Sequence, residues 1–159
     1  MKTNILIGLA VALLGAWLNP ATAAYETTEP VDFTLAQLGG GEVTVSDYRG
    51  DWVVVNYWAT WCTPCVKEMP ELSALHEERD GVVVLGLAYE DVDDADFVDF
   101  LEKAPVSYPI LKVDVYDPPQ PFGAPKVLPT TIILDPSGKA VKTFLGPVTR
   151  ADIEAFIDG

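Results

Sequence analysis

The residues best suited to chemistry are Cys62 and Cys65, the only two cysteines in the chain, set in the run Trp61-Cys62-Thr63-Pro64-Cys65. A C-x-x-C pair can close and reopen a small disulfide ring without moving its scaffold, which is the chemistry of thiol–disulfide exchange. The residues before it, Trp52 to Trp58, form a near-continuous apolar run that suits a strand buried on both faces. After it, to about Glu78, Val66, Met69, Leu72 and Leu75 fall on one helical stripe with charges opposite. Cys62 therefore lands at a helix N-terminus, where free backbone N–H groups and the positive end of the helix dipole stabilise a thiolate. Cys65 lies one turn further in. Pro64 suits that first turn, where its missing N–H costs little.

Other uses of the pair fit less well. Closing so short a loop yields a small entropic gain, so structure alone is a poor reason for this spacing. A zinc site lacks further ligands, because His76 is the sole histidine and has no Ser or Cys partner in the pattern. Covalent haem attachment needs a histidine at position 66, where Val66 stands.

The whole composition narrows the field further. The chain has 159 residues, 49% of them hydrophobic, enough for one domain with a real core. It carries 10 Lys+Arg against 24 Asp+Glu, a formal charge of −14 and a pI near 4.2. Without a basic patch, nucleic acid and anionic lipid surfaces are excluded as partners. Residues 1–24 read as a secretory leader: Lys2, an uncharged apolar run over 5–18, then Asn19-Pro20 and the small residues Ala21 to Ala24. The cut is placed after Ala23 or Ala24, with an uncleaved membrane tether through residues 5–18 as the alternative. The run is shorter than the roughly 20 residues that a spanning helix needs. A secreted chain occupies a compartment where disulfides persist, so the localisation expected is periplasmic or otherwise extracytoplasmic.

Residues 25–159 show no linker or repeat and read as a single domain. Val31 to Leu35 and Glu42 to Ser46 flank Gly39-Gly40-Gly41 as a β-hairpin. Val82 to Ala88 is a second buried strand. Asp93 to Glu102 is an amphipathic helix with Phe97, Phe100 and Leu101 inward, capped by Asp93 or Asp94. Tyr108 to Val113 is a short strand, and 117–129, with five prolines, is an irregular loop. Thr130 to Leu134 and Ala140 to Leu145 pair across the turn Asp135-Pro136-Ser137-Gly138, and Thr149 caps a last helix through Ile157. Pro70 is expected to kink the helix that carries the cysteines. The order implies an α/β fold with a mixed sheet, parallel in part and antiparallel at one end.

The stretch Val55-Asn56-Tyr57-Trp58-Ala59-Thr60-Trp61-Cys62-Thr63-Pro64-Cys65-Val66-Lys67-Glu68-Met69-Pro70 resembles the active-site segment of the thioredoxin superfamily, most closely the TlpA/ResA-like branch of exported thiol-disulfide oxidoreductases. The hairpin Phe33-Thr34-Leu35 to Arg49-Gly50 and the run Leu128-Pro129-Thr130-Thr131 are similar to that branch too. The resemblance implies a thioredoxin-like fold with an added N-terminal hairpin, Cys62 as nucleophile, Cys65 as resolving thiol, and Pro129 as a cis-proline opposite them. Pro125 is the rival cis candidate. Leu128 would then pair with an extended substrate segment, with Trp61, Thr63 and Pro64 shaping the approach and Trp58 packing beside the site.

Thioredoxin has a buried acid where this chain has Asn56, and in the TlpA/ResA-like branch a glutamate after the next strand is thought to serve instead. Glu90 matches that position and would accept the proton of Cys65. The bland alternative is that Glu90 merely opens the acidic run to Asp96, which lacks the glycine and terminal glutamate of a calcium loop. By resemblance the expected activity is reduction of disulfides in partner proteins, for example in cytochrome c maturation, with a membrane-bound thiol reductant restoring the dithiol and no organic cofactor. An oxidase or isomerase would use the same residues. A peroxiredoxin shares the hairpin but places Thr and Pro three and seven positions before its cysteine, where Ala59 and Val55 stand here. A metallochaperone on the same fold pairs C-x-x-x-C with a distant histidine, unlike Cys62, Cys65 and the nearby His76.

Overall fold

The computed structural model describes residues 25–159. The leader expected at 1–24, its cut and its tether lie outside these residues. The elements are β1 (Thr34–Ala36), β2 (Glu42–Thr44), β3 (Trp52–Trp58), α1 (Thr63–Glu78), β4 (Val82–Ala88), α2 (Asp94–Leu101), β5 (Ile110–Lys112), β6 (Thr130–Leu134), β7 (Ala140–Leu145) and α3 (Arg150–Asp158).

Five strands form one sheet in the order β5-β4-β3-β6-β7, with β3, β4 and β5 parallel and β6 and β7 antiparallel to their neighbours. β3 sits in the centre and is buried along almost its whole length, as its unbroken apolar run requires. Its residues alternate between the two faces. Val54 and Trp58 meet Leu72 and Leu75 of α1, Phe97 of α2 and Ile153 of α3. Val53, Val55 and Tyr57 meet the N-terminal segment at Tyr25 and Val31, the hairpin at Val43, and Phe122 of the proline-rich loop. Helices thus cover one face, while the N-terminal segment, hairpin and loop cover the other.

The hairpin is shorter than expected, because Val45 to Tyr48 turn into a 3-10 helix instead of extending β2. Its two strands form a separate small sheet, joined to the β5 edge through the Gln37 bridge to Leu111 and the Leu38 N–H to the Ile110 carbonyl. β5 is also shorter than the 108–113 expected; Tyr108 is buried ahead of it as a packing residue. α1 continues through Pro70 without a break. Asp93 occupies the cap of α2 but makes no side-chain cap bond, whereas Thr149 and Asp152 complete a reciprocal capping box on α3.

Candidate active site

Cys62 caps α1: its Sγ accepts the Cys65 N–H at 3.3 Å, and its carbonyl accepts the Val66 N–H at 3.1 Å. The two sulfurs are joined in a disulfide with Cα atoms 5.3 Å apart. Cys62 is 5% exposed and Cys65 fully buried. Cys62 is thus the less buried of the two. The aimed N–H groups and dipole at this end favour a thiolate there once the ring opens.

The turn leading into Cys62 is held from β4. Glu90, just past its end, accepts the Thr60 N–H at 2.7 Å and the Thr60 hydroxyl at 3.1 Å. Both carboxylate oxygens thus bond the segment before Cys62. The Leu128–Pro129 peptide is cis, and the rival Ala124–Pro125 is not; a second cis bond, unanticipated, precedes Pro121. Trp61, 69% exposed, Glu90 and Leu128 line one groove of about 460 Å³ together with Lys126 and Val127. Thr63 and Pro64 line a different one, of about 430 Å³, with Glu68 and Val148. Of the residues expected at the substrate surface, Trp61 and Leu128 thus line one groove and Thr63 and Pro64 another, while Pro129 lines neither. Trp58 is wholly internal, edge-to-face with Phe97 and tilted against Phe100.

Glu68 was not singled out from the sequence. It lies one turn beyond Cys65, on the same helical face as Cys65 and Leu72, and is 4% exposed. Its Oε1 accepts from Asn56 Nδ2 at 2.8 Å and its Oε2 from the Val148 N–H at 2.9 Å. Burial lifts its pKa to about 7, against the lowering effect of the Val148 and Asn56 hydrogen bonds. The available signal was a glutamate inside the apolar stripe of α1. The lone His76 sits at the boundary, its Nδ1 accepting the Val84 N–H at 3.2 Å, and burial lowers its pKa. Among the described residues no three His, Cys, Asp or Glu side chains gather where they could hold a metal ion.

The family model described as "AhpC/TSA family" matches residues 27–143. A curated relative, the thiol-disulfide oxidoreductase ResA of Geobacillus thermodenitrificans, is 34% identical over 99% of this chain and 93% of its own. The chain is a ResA-like thiol-disulfide oxidoreductase of the AhpC/TSA family, within the thioredoxin superfamily. The ResA of Bacillus subtilis is similar to this oxidoreductase at 28% identity, over 99% of this chain and 90% of that one. Among solved structures, a DsbF homologue from Corynebacterium diphtheriae superposes with a TM-score of 0.70 and 32% identity, covering 82% of this chain and 85% of that one. A thiol:disulfide interchange protein DsbE from Chlorobium tepidum superposes with a TM-score of 0.71 and 26% identity over 84% and 93%. The oxidoreductase thus has the thioredoxin-like fold and added hairpin expected. The match to AhpC/TSA does not bring the peroxidatic motif, since Ala59 and Val55 occupy its Thr and Pro positions.

Proposed function

We propose that this oxidoreductase works outside the cytoplasm and reduces disulfides of partner proteins, cytochrome c maturation being one such use. The observation that carries the reading is the asymmetry of the pair: Cys62 caps the helix N-terminus at 5% exposure, and Cys65 lies fully buried behind it. Cys62 thiolate attacks one sulfur of a partner disulfide. A mixed disulfide forms, and the partner's other sulfur leaves as a thiolate and takes a proton. Cys65, as thiolate, then attacks Cys62 Sγ, which closes the ring seen here and releases the partner's second thiolate. Two electrons pass from the dithiol to the partner, and a membrane-bound thiol reductant returns them.

Resolution needs Cys65 to lose its proton within the core. We assign that proton to Glu68 instead of Glu90, because Glu68 lies one turn beyond Cys65 on the same buried face and burial lifts its pKa to about 7, whereas the bonds of Glu90 go to Thr60, in the turn before Cys62. Leu128 and Pro129 offer the backbone against which an extended partner segment lies, with Trp61 beside it and Thr63 and Pro64 across the turn. The leader-like residues 1–24 support export.

A second reading is isomerisation or oxidation by the same residues. It is favoured by a similar structure described as a secreted thiol-disulfide isomerase from Corynebacterium glutamicum, at 32% identity and a TM-score of 0.68 over 79% of this chain and 81% of that one. Acid trapping of thiols in producing cells separates the two. Mostly reduced Cys62 and Cys65 are expected for the reductase, and a mostly oxidised pair would sink it. Cys65→Ala should accumulate mixed disulfides through Cys62; recovery of none would remove Cys62 as the nucleophile.

A further inference from the structure

Asn56 stands in the central strand, directly across from Thr131 in the β3–β6 register, and is 1% exposed. Its amide nitrogen has two hydrogens, and both are used: one goes to Thr131 Oγ1 at 2.9 Å and one to Glu68 Oε1 at 2.8 Å. Thr131 is itself fully buried and lies two residues after Pro129. A continuous line of contacts therefore runs from the strand at the partner groove, through Asn56, to the carboxylate one turn behind Cys65.

We propose that Asn56 is a positioning residue of the dithiol cycle: anchored by Thr131, it aims the Glu68 carboxylate and favours its charged form. The proposal rests on Glu68 being the acid that serves Cys65. An amide at position 56 suits this task better than an acid would. Aspartate there would set two carboxylates at hydrogen-bond distance in the core, and one would have to keep a proton. Alanine would leave Glu68 with the Val148 N–H alone against its burial. The other groups around Glu68 keep their own places. Cys65 precedes it on α1, Lys67 and Glu71 line the same groove, and the Arg150 N–H of α3 bonds Glu71. The buried Tyr108 phenol, ahead of β5, feels its charge. Thr149, beyond Val148, is committed to Asp152.

Carboxyl carbon NMR titration of Glu68 in the reduced protein tests the proposal, paired with the pH profile of mixed-disulfide resolution. Asn56→Ala should raise the Glu68 midpoint by about one unit, because a donor to the charged form is lost. Thr131→Val, which deletes the hydroxyl and keeps the shape, should raise it by less, and Thr131→Ser should restore it. The resolution profile should move in the same direction. If Asn56→Ala fails to fold, the two Thr131 variants carry the test. Unchanged midpoints in folded variants overturn the proposal. The role of Glu68 is judged separately by Glu68→Gln: resolution kinetics equal to the parent's would end that reading, while the Asn56 titrations still decide their own question.

Discussion

The carboxylate of Glu90 takes both donors of Thr60, the backbone N–H at 2.7 Å and the hydroxyl at 3.1 Å. A residue at the end of β4 thereby fixes the turn that delivers Cys62 to the helix terminus. The resemblance had placed Glu90 in the proton chemistry of Cys65. Its hydrogen bonds here go to Thr60, and the reading we propose is that it braces the turn before the nucleophile.

Glu90→Ala should consequently lower kcat/KM for disulfide reduction roughly tenfold, since small misplacements of a reacting group are costly. Glu90→Gln should stay near the parent, because its carbonyl still accepts the Thr60 N–H and its amide can meet the hydroxyl. Steady-state assays of both variants against one protein disulfide give the comparison, and equal losses in both would point to the charge instead of the brace.

The titration of Glu68 has a stability consequence of definite sign. Its folded pKa of about 7 exceeds the ordinary value of 4.5, so between these pH values the folded chain binds more protons than the unfolded one. Its contribution is fully present below about pH 4.5 and is lost as pH rises through 7, by on the order of 3 kcal/mol. Glu68→Gln should flatten that fall. Denaturant midpoints of both proteins at pH 5 and pH 8 measure it; parallel slopes would show that Glu68 does not titrate as described.

Trp61 exposes a large apolar surface at the groove while contributing little to the core. Trp61→Ala should leave unfolding free energy within about 0.5 kcal/mol and raise KM for protein disulfides more than for a small-molecule disulfide. Equal KM values for both substrate sizes would argue that partners do not lie across Trp61.

The α3 cap supports the loop that carries Val148, hence one of the two donors to Glu68. Thr149→Ala should cost about 1 kcal/mol of stability through the lost capping box. Thr149→Ser should recover most of it, and urea denaturation provides the measure.

Much of this molecule was legible along the chain. β3, α1, β4, β6 and β7 follow their apolar periods because each carries a long or alternating pattern against the same core. The hairpin and β5 were read too long, because Val45 and Tyr108 are apolar for packing reasons that a strand period imitates. Cys62, Cys65 and Pro129 were readable because spacing and dipeptide identity are local properties. Glu68 was less so: the apolar stripe of α1 marks its place, but only the contact of α1 with Asn56 and the Val148 loop shows what its buried carboxylate bonds.

The sequence by itself determined the dithiol, its place between a buried strand and a helix, and the acidity of the chain, since these depend on neighbours a few residues away. The tertiary structure alone decided which carboxylate sits behind Cys65 and which braces Thr60. Burial and hydrogen-bond partners come from segments 12 to 80 residues apart, and no local pattern encodes them.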